Sequence, residues 1–285
     1  MPLNLSFIPA PETGLPHRVL IAENVVYGRG GDVPLVLNLF RPEGAPAPLP
    51  VVVFIHGGGW HGGMKEDYRD FALQVAGHGY LCLAIDYRVV EQAPFPAAVE
   101  DCKCALRWVR AHAADLGADP ERIATLGHSA GGHLAALLAV SPGRLEGEGG
   151  WPEFPSTVQA VLCYCGPSDL ATLGPNAGPA AAAFVGADPE IDPARWRQAS
   201  ALSYLTGLTP GLPEQPIPFL VCHGIDDDLV PVDQSDRLVA ALEARGWPVQ
   251  YLRLPGNGHD LAPYWDRMVP DALAFLGECF RGPKP

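Results

Sequence analysis

The sequence predicts an α/β domain, with a mostly parallel central sheet covered by helices on both faces. Two observations carry that expectation. Short apolar runs alternate with longer amphipathic segments, the pattern of strands joined by helical crossovers. A chain of 285 residues, 48% hydrophobic and 18% charged, is long and apolar enough for one large core.

The elements follow in order. VPLVLNLFRP (33–42) reads as a strand paired with 19–27 across the GRGGD turn. Those glycines join two strands and open no helix, so they are not a dinucleotide fingerprint. PVVVFIH (50–56), YLCLAIDY (80–87), RIATLG (122–127), VQAVLCYC (158–165), PFLVCH (218–223) and VQYLRL (249–254) read as core strands. Within 97–113, Val99, Cys102, Leu106 and Val109 fall at steps of three and four and form one helical stripe. Segments 132–140 and 232–245 read the same way, and 262–280 closes the chain. Residues 141–157 are turn-rich, and 168–216 is a long insertion between two core strands, the size of a cap over a site. With no repeat and no linker, the chain reads as a single domain over 1–285, with 168–216 as a small cap.

Composition closes several functional classes. A net charge of -13, from 19 basic and 32 acidic residues, argues against nucleic acid as a partner. No apolar run has the length of a membrane span. MPLNLSFIPAPETG has no basic n-region and is interrupted by Pro9, so no secretory leader is expected. The seven cysteines form no C-x-x-C pair and sit mostly in apolar runs, as reduced core thiols do, which points to a cytoplasmic setting.

GHSAG (127–131) carries the chemistry. It follows the apolar run RIATL and precedes the helical HLAALLAV, so the G-x-S-x-G pattern stands in strand–turn–helix context. Ser129 is the expected nucleophile, because small neighbours allow the tight turn that exposes it. The helix that follows aims unpaired N–H groups at a developing oxyanion, which makes the N–H of Ala130 one expected donor. HGGGW (56–60) leaves the strand PVVVFI with three glycines whose N–H groups no side chain screens. Gly58 and Gly59 are the expected second contribution to the oxyanion hole.

This motif carries its partners in the order Ser, acid, His along the chain. Beyond residue 223 there is one histidine, His259 in LPGNGHD, and it is the expected base. The acid lies in CHGIDDDLVP (222–231), where Asp226, Asp227 and Asp228 are all candidates. Three neighbouring carboxylates are expected to raise one another's pKa. A metal site there is not expected, because consecutive acids cannot all face one ion and the spacing of a calcium loop is missing.

HGGGW, DYRVVEQAPFPAAVEDC (86–102), GHSAGGHLAALL, LEGEGG, GPSDL (166–170), HGIDDDLVP and PGNGHD together resemble the α/β-hydrolase superfamily. Within it they are most similar to hormone-sensitive-lipase-like carboxylesterases close to the bifunctional feruloyl/acetyl-xylan esterase branch, from about residue 20 onward. The resemblance implies the α/β-hydrolase fold, a Ser-His-Asp triad and no cofactor. Its H-G-x-x-D-x-x-V-P pattern, counted from His223 or back from Pro231, selects Asp227. The departure from the pattern is that Asp226 and Asp228 flank it with further acid.

The implied reaction is hydrolysis of short-acyl esters of small soluble substrates, with Trp60, Phe184 and Trp196 as candidate pocket walls. HGGGW equally fits the pattern of arylformamidases that act on N-formylkynurenine, and a non-catalytic binding protein on the same fold is a third reading. Neither nucleic acid nor membrane is an expected partner. The oligomeric state is open, a homodimer included.

Overall fold

A computed structural model describes residues 5–11 and 14–280. The first four residues, part of the segment read above as lacking a leader, and the last five of the 1–285 domain lie outside the described residues. One nine-stranded sheet organises the rest. Its strands are β1 (Ile8–Pro9), β2 (Val19–Gly30), β3 (Val33–Pro42), β4 (Leu49–Ile55), β5 (Leu81–Ile85), β6 (Ala118–His128), β7 (Ala160–Tyr164), β8 (Phe219–Gly224) and β9 (Val249–Leu254). They lie in the order β1-β2-β3-β5-β4-β6-β7-β8-β9. Pairs at the β1 end are antiparallel, and from β5 to β9 every pair is parallel.

Continuous apolar runs form these strands because both sheet faces are covered. Val51, Val53 and Ile55 face one core, and Val52 and Phe54 face the other. The same two-residue alternation sends Leu81, Leu83 and Ile85 to the first core, and Cys82 and Ala84 to the second. The first core is closed by α2 (Ala97–Ala111), α4 (Ala130–Val140), α8 (Asp233–Ala244) and the segment 168–216. The second is closed by α1 (Arg69–Gly77) and α9 (Trp265–Phe280). A short α3 (Ala113–Leu116) follows α2. All seven cysteines are free, and six are fully buried.

The insertion at 168–216 holds α5 (Gly178–Val185), α6 (Pro193–Gln198) and α7 (Ala201–Leu205), which pack on the α4 side of the sheet. Among the described residues no helix is long and apolar enough to cross a membrane. The loops that follow β4, β6, β8 and β9 all leave the same edge of the sheet. That edge gathers the HGGGW, GHSAG, DDD and NGHD segments, as the carboxyl ends of parallel strands do in open α/β sheets.

Candidate active site

Ser129 sits between β6 and α4 at φ 56 and ψ -122, a backbone state that L-residues avoid. The glycines around it let the turn close. A Cβ on Gly131 would lie 1.9 Å from the Ile55 carbonyl oxygen, and one on Gly127 would lie 2.3 Å from the Gly131 backbone. The serine is pinned from both sides, by its N–H to Tyr164 O at 2.8 Å and by its carbonyl, which accepts the His133 N–H at 2.9 Å.

The Ser129 hydroxyl donates to His259 Nε2 at 2.8 Å, and His259 Nδ1–H donates to Asp227 Oδ2 at 2.6 Å. Residues 129, 227 and 259 are therefore one unbroken chain of hydrogen bonds. Of the three neighbouring acids only Asp227 is buried, while Asp226 and Asp228 are exposed. Its Oδ1 accepts the N–H groups of Leu229 at 3.0 Å and Val230 at 2.8 Å, and its Oδ2 also accepts His223 Nε2–H at 3.1 Å. Burial alone would raise this carboxyl. Hydrogen bonds from His223 and His259 outweigh burial and hold it well below the usual carboxylate range. The expectation of a raised pKa is thus corrected for Asp227, because its neighbours' side chains face water while hydrogen-bond donors face Asp227.

His128, next to the serine, gives its Nε2–H to the His259 carbonyl at 2.6 Å and is not a member of the Ser129–His259–Asp227 chain. Burial pushes it down to about 4, so it is neutral in ordinary buffers. His56 donates to Gly57 O and stacks on Tyr87 with centroids 4.1 Å apart, bracing the loop from behind.

Gly57 lies against Ser129, where an added Cβ would come within 3.4 Å of the serine Cβ. Gly58, Gly59 and Trp60 then run at φ 101, 60 and 63. Among the described residues no acceptor takes the N–H of Gly58, Gly59 or Ala130. Trp60 and Phe184 are brought together, stacked with centroids 4.7 Å apart, and both are buried. Trp196, also buried, donates its indole N–H to Ala187 O and makes no ring contact with that pair among the described residues.

Two overlapping groups have metal-ligand chemistry, His128–Cys165–His259 and Cys165–His223–Asp227, with donor atoms within 4.8 Å of one another. Both ring nitrogens of His259, and the Nε2 atoms of His128 and His223, are engaged in the hydrogen bonds above. Burial also pushes the Cys165 thiol up, away from the thiolate that a metal requires.

The model of the BD-FAE family matches residues 37–242. The chain belongs to the BD-FAE family. Among curated proteins it is similar to Esterase LipQ of Mycobacterium tuberculosis, 35% identical over 96% of this chain; the chain spans 66% of that protein's length. The chain matches the bifunctional GH43-CE of Bacteroides eggerthii with a TM-score of 0.81 and 27% identity, covering 90% of this chain and 35% of that one. Thermogutta terrifontis esterase 2, solved in its apo form, matches with a TM-score of 0.76 and 28% identity over 96% of this chain and 98% of that one. That esterase has also been solved phosphonylated by sarin. The architecture of this BD-FAE member is the α/β-hydrolase fold, a mostly parallel sheet clad by helices.

Sequence reasoning passed over two residues of this site. His223 served only as a marker for counting to the acid, yet it hydrogen-bonds that acid directly. Its own Nδ1 accepts from Ser235 Oγ at 2.7 Å, which fixes the tautomer that donates. His133 is not among the candidate residues named above, yet it receives the Trp60 indole N–H. The available signal was spacing: His133 follows Ser129 by one helical turn, and His223 precedes Asp227 by four residues.

Proposed function

We propose that this BD-FAE member is a serine carboxylesterase acting on short-acyl esters of small soluble substrates. The hydrogen-bonded chain Ser129–His259–Asp227, at 2.8 and 2.6 Å, carries the reading. His259 takes the Ser129 proton as the oxygen attacks the ester carbonyl, and Asp227 stabilises the imidazolium that forms. The oxyanion lies against the N–H groups of Gly58, Gly59 and Ala130, which have no acceptor among the described residues. His259 then protonates the departing alcohol, and water attacks the acyl-enzyme by the same relay. No cofactor enters this scheme. Trp60 and Phe184, stacked and buried, shape the wall behind the oxyanion loop, and Trp196, buried elsewhere in 168–216, acts on the pocket only through the packing of that segment.

Support comes from relatives named as esterases and from a structural neighbour that takes a phosphonyl group from sarin. The same names favour an ester over a formamide substrate and a working enzyme over a binding protein. Hydrolysis of a p-nitrophenyl acyl series, with organophosphonate labelling in parallel, tests the proposal. Turnover highest for short acyl chains and an adduct on Ser129 are expected. No turnover and no adduct would overturn it, and formate release from N-formylkynurenine far faster than any ester hydrolysis would replace the substrate class.

A further inference from the structure

Trp60 is a bulky residue in a left-handed backbone state, at φ 63, directly after two glycines in the same region. Such a state persists only where the surroundings over-determine it. Three contacts do so. Its carbonyl accepts the Val90 N–H at 2.9 Å, its ring stacks on Phe184, and its indole N–H donates to His133 Nδ1 at 3.2 Å. The third is the one that leads to the nucleophile.

His133 is fully buried on α4, one turn beyond Ser129, and its backbone N–H holds the Ser129 carbonyl. Its second ring nitrogen donates to the Ala199 carbonyl at 2.6 Å, in the cap between α6 and α7. The ring also stands edge-on to Trp60 and Phe184, with centroids at 5.3 and 5.5 Å. One side chain therefore joins the nucleophile helix, the oxyanion loop and the cap. Its two bonds need one tautomer, with a bare Nδ1 to accept and a protonated Nε2 to donate. A phenyl or isobutyl group of similar volume would fill the space and make neither bond.

We propose that His133 is the positioning residue of the oxyanion loop, tying Trp60, and with it the N–H groups of Gly58 and Gly59, to the nucleophile helix while anchoring the cap at Ala199. The proposal rests on the esterase reading above, because it concerns the hole that reading assigns. Two strained turns, at Ser129 and at Trp60, then share one anchor, so their separation is set by a side chain instead of by loop flexibility. The cap shares that anchor, which makes it a fixed wall and not a separately moving lid.

The experiment uses the whole chain and counts working sites by organophosphonate labelling, so that misfolded molecules drop out of the rate. His133→Leu keeps apolar volume and loses both bonds. Trp60→Phe keeps a ring against Phe184 and loses the N–H. Each should lower kcat by roughly 10- to 100-fold, less than removal of an oxyanion donor itself, with KM moving within about twofold. The double variant should lose no more than about what His133→Leu alone loses, because the bond that Trp60→Phe removes is already gone in His133→Leu. His133→Asn places an amide oxygen near the Nδ1 position and should recover most of kcat. An unchanged kcat in His133→Leu, additive losses in the double variant, or no recovery in His133→Asn would each overturn the proposal. A wild-type chain without turnover or Ser129 adduct would instead sink the esterase reading.

Discussion

The two arms of the site are held by opposite means. On one side, the Asp227 carboxylate is gripped by two backbone N–H groups and two imidazoles, and it stays ionised despite burial. On the other, the HGGGW loop, the proposed oxyanion loop, is held by a ring stack, a backbone bond and a neutral imidazole. The difference follows from when charge is present. In the proposed mechanism the acid must be charged before, during and after each proton transfer, so charge-assisted bonds serve it throughout. The oxyanion exists only near the transition state. A permanent charge in its support would act on the ground state as well and gain little rate. Buried neutral partners fix the loop without biasing the resting site.

Asp227→Asn breaks the charged arm and should have the largest effect, a fall of roughly 10⁴ in kcat, because the histidine loses its orienting anion and tautomer. Steady-state kinetics on a p-nitrophenyl ester would measure it. Acid should separate the arms next. His128 and His133 are pushed down to about 4 by burial. Their ordinary value is about 6.5. Unfolded chains therefore bind these protons first, so the folded state is fully favoured above that value and loses stability as pH falls from about 6.5 to about 4. For His133 alone the loss between about pH 7 and about pH 5 is about 2 kcal/mol. Urea titrations at the two pH values should show it in the wild type and show it reduced in His133→Leu. Asp227 behaves in the opposite sense. Its carboxyl is depressed, so its contribution is present above the ordinary carboxylate value and goes only in stronger acid, below the histidine window. A smaller effect belongs to His223→Leu, which removes one donor from Asp227 and should cost about tenfold in kcat.

How much of this the sequence reveals depends on the distance over which each interaction acts. The core strands and Ser129 are legible because their signals are local, an apolar run or a pentapeptide between a strand and a helix. Chain order identifies His259. Asp227 emerges only through a resemblance, since adjacent loop residues leave the chain in different directions and nothing local says which turns inward. Helix α1 at 69–77 has no counterpart in the expected elements because the helix is only nine residues long and its Phe71, Ala72, Val75 and Ala76 stripe sits among loop residues. Strand β6 begins at Ala118, ahead of the expected 122, because pairing with Leu49 extends it past an irregular register. The His133 bonds were illegible for a plainer reason. They join residues 73 and 66 positions away, and no local pattern encodes such a pairing.

The smallest expected effect tests the comparison most finely, because it asks whether charge near the acid arm matters or only charge inside it. Asp226 and Asp228 stand on either side of Asp227 and carry the same group into water. Their contacts near the site are through backbone: the Asp226 N–H bonds Asn257 O at 3.0 Å, and the Asp228 carbonyl accepts Asn176 Nδ2 at 2.7 Å. Asp226→Asn and Asp228→Asn keep both bonds and remove one solvated charge each. What remains is a through-water attraction to the imidazolium of His259, which salt screens within about 10 Å at 0.1 M. Each variant should therefore lose no more than about a few-fold in kcat at low ionic strength, and the loss should shrink as salt rises. A salt-independent fall of the size expected for Asp227→Asn, in either variant, would mean that a neighbour carries the proton relay and that the burial of Asp227 has another cause.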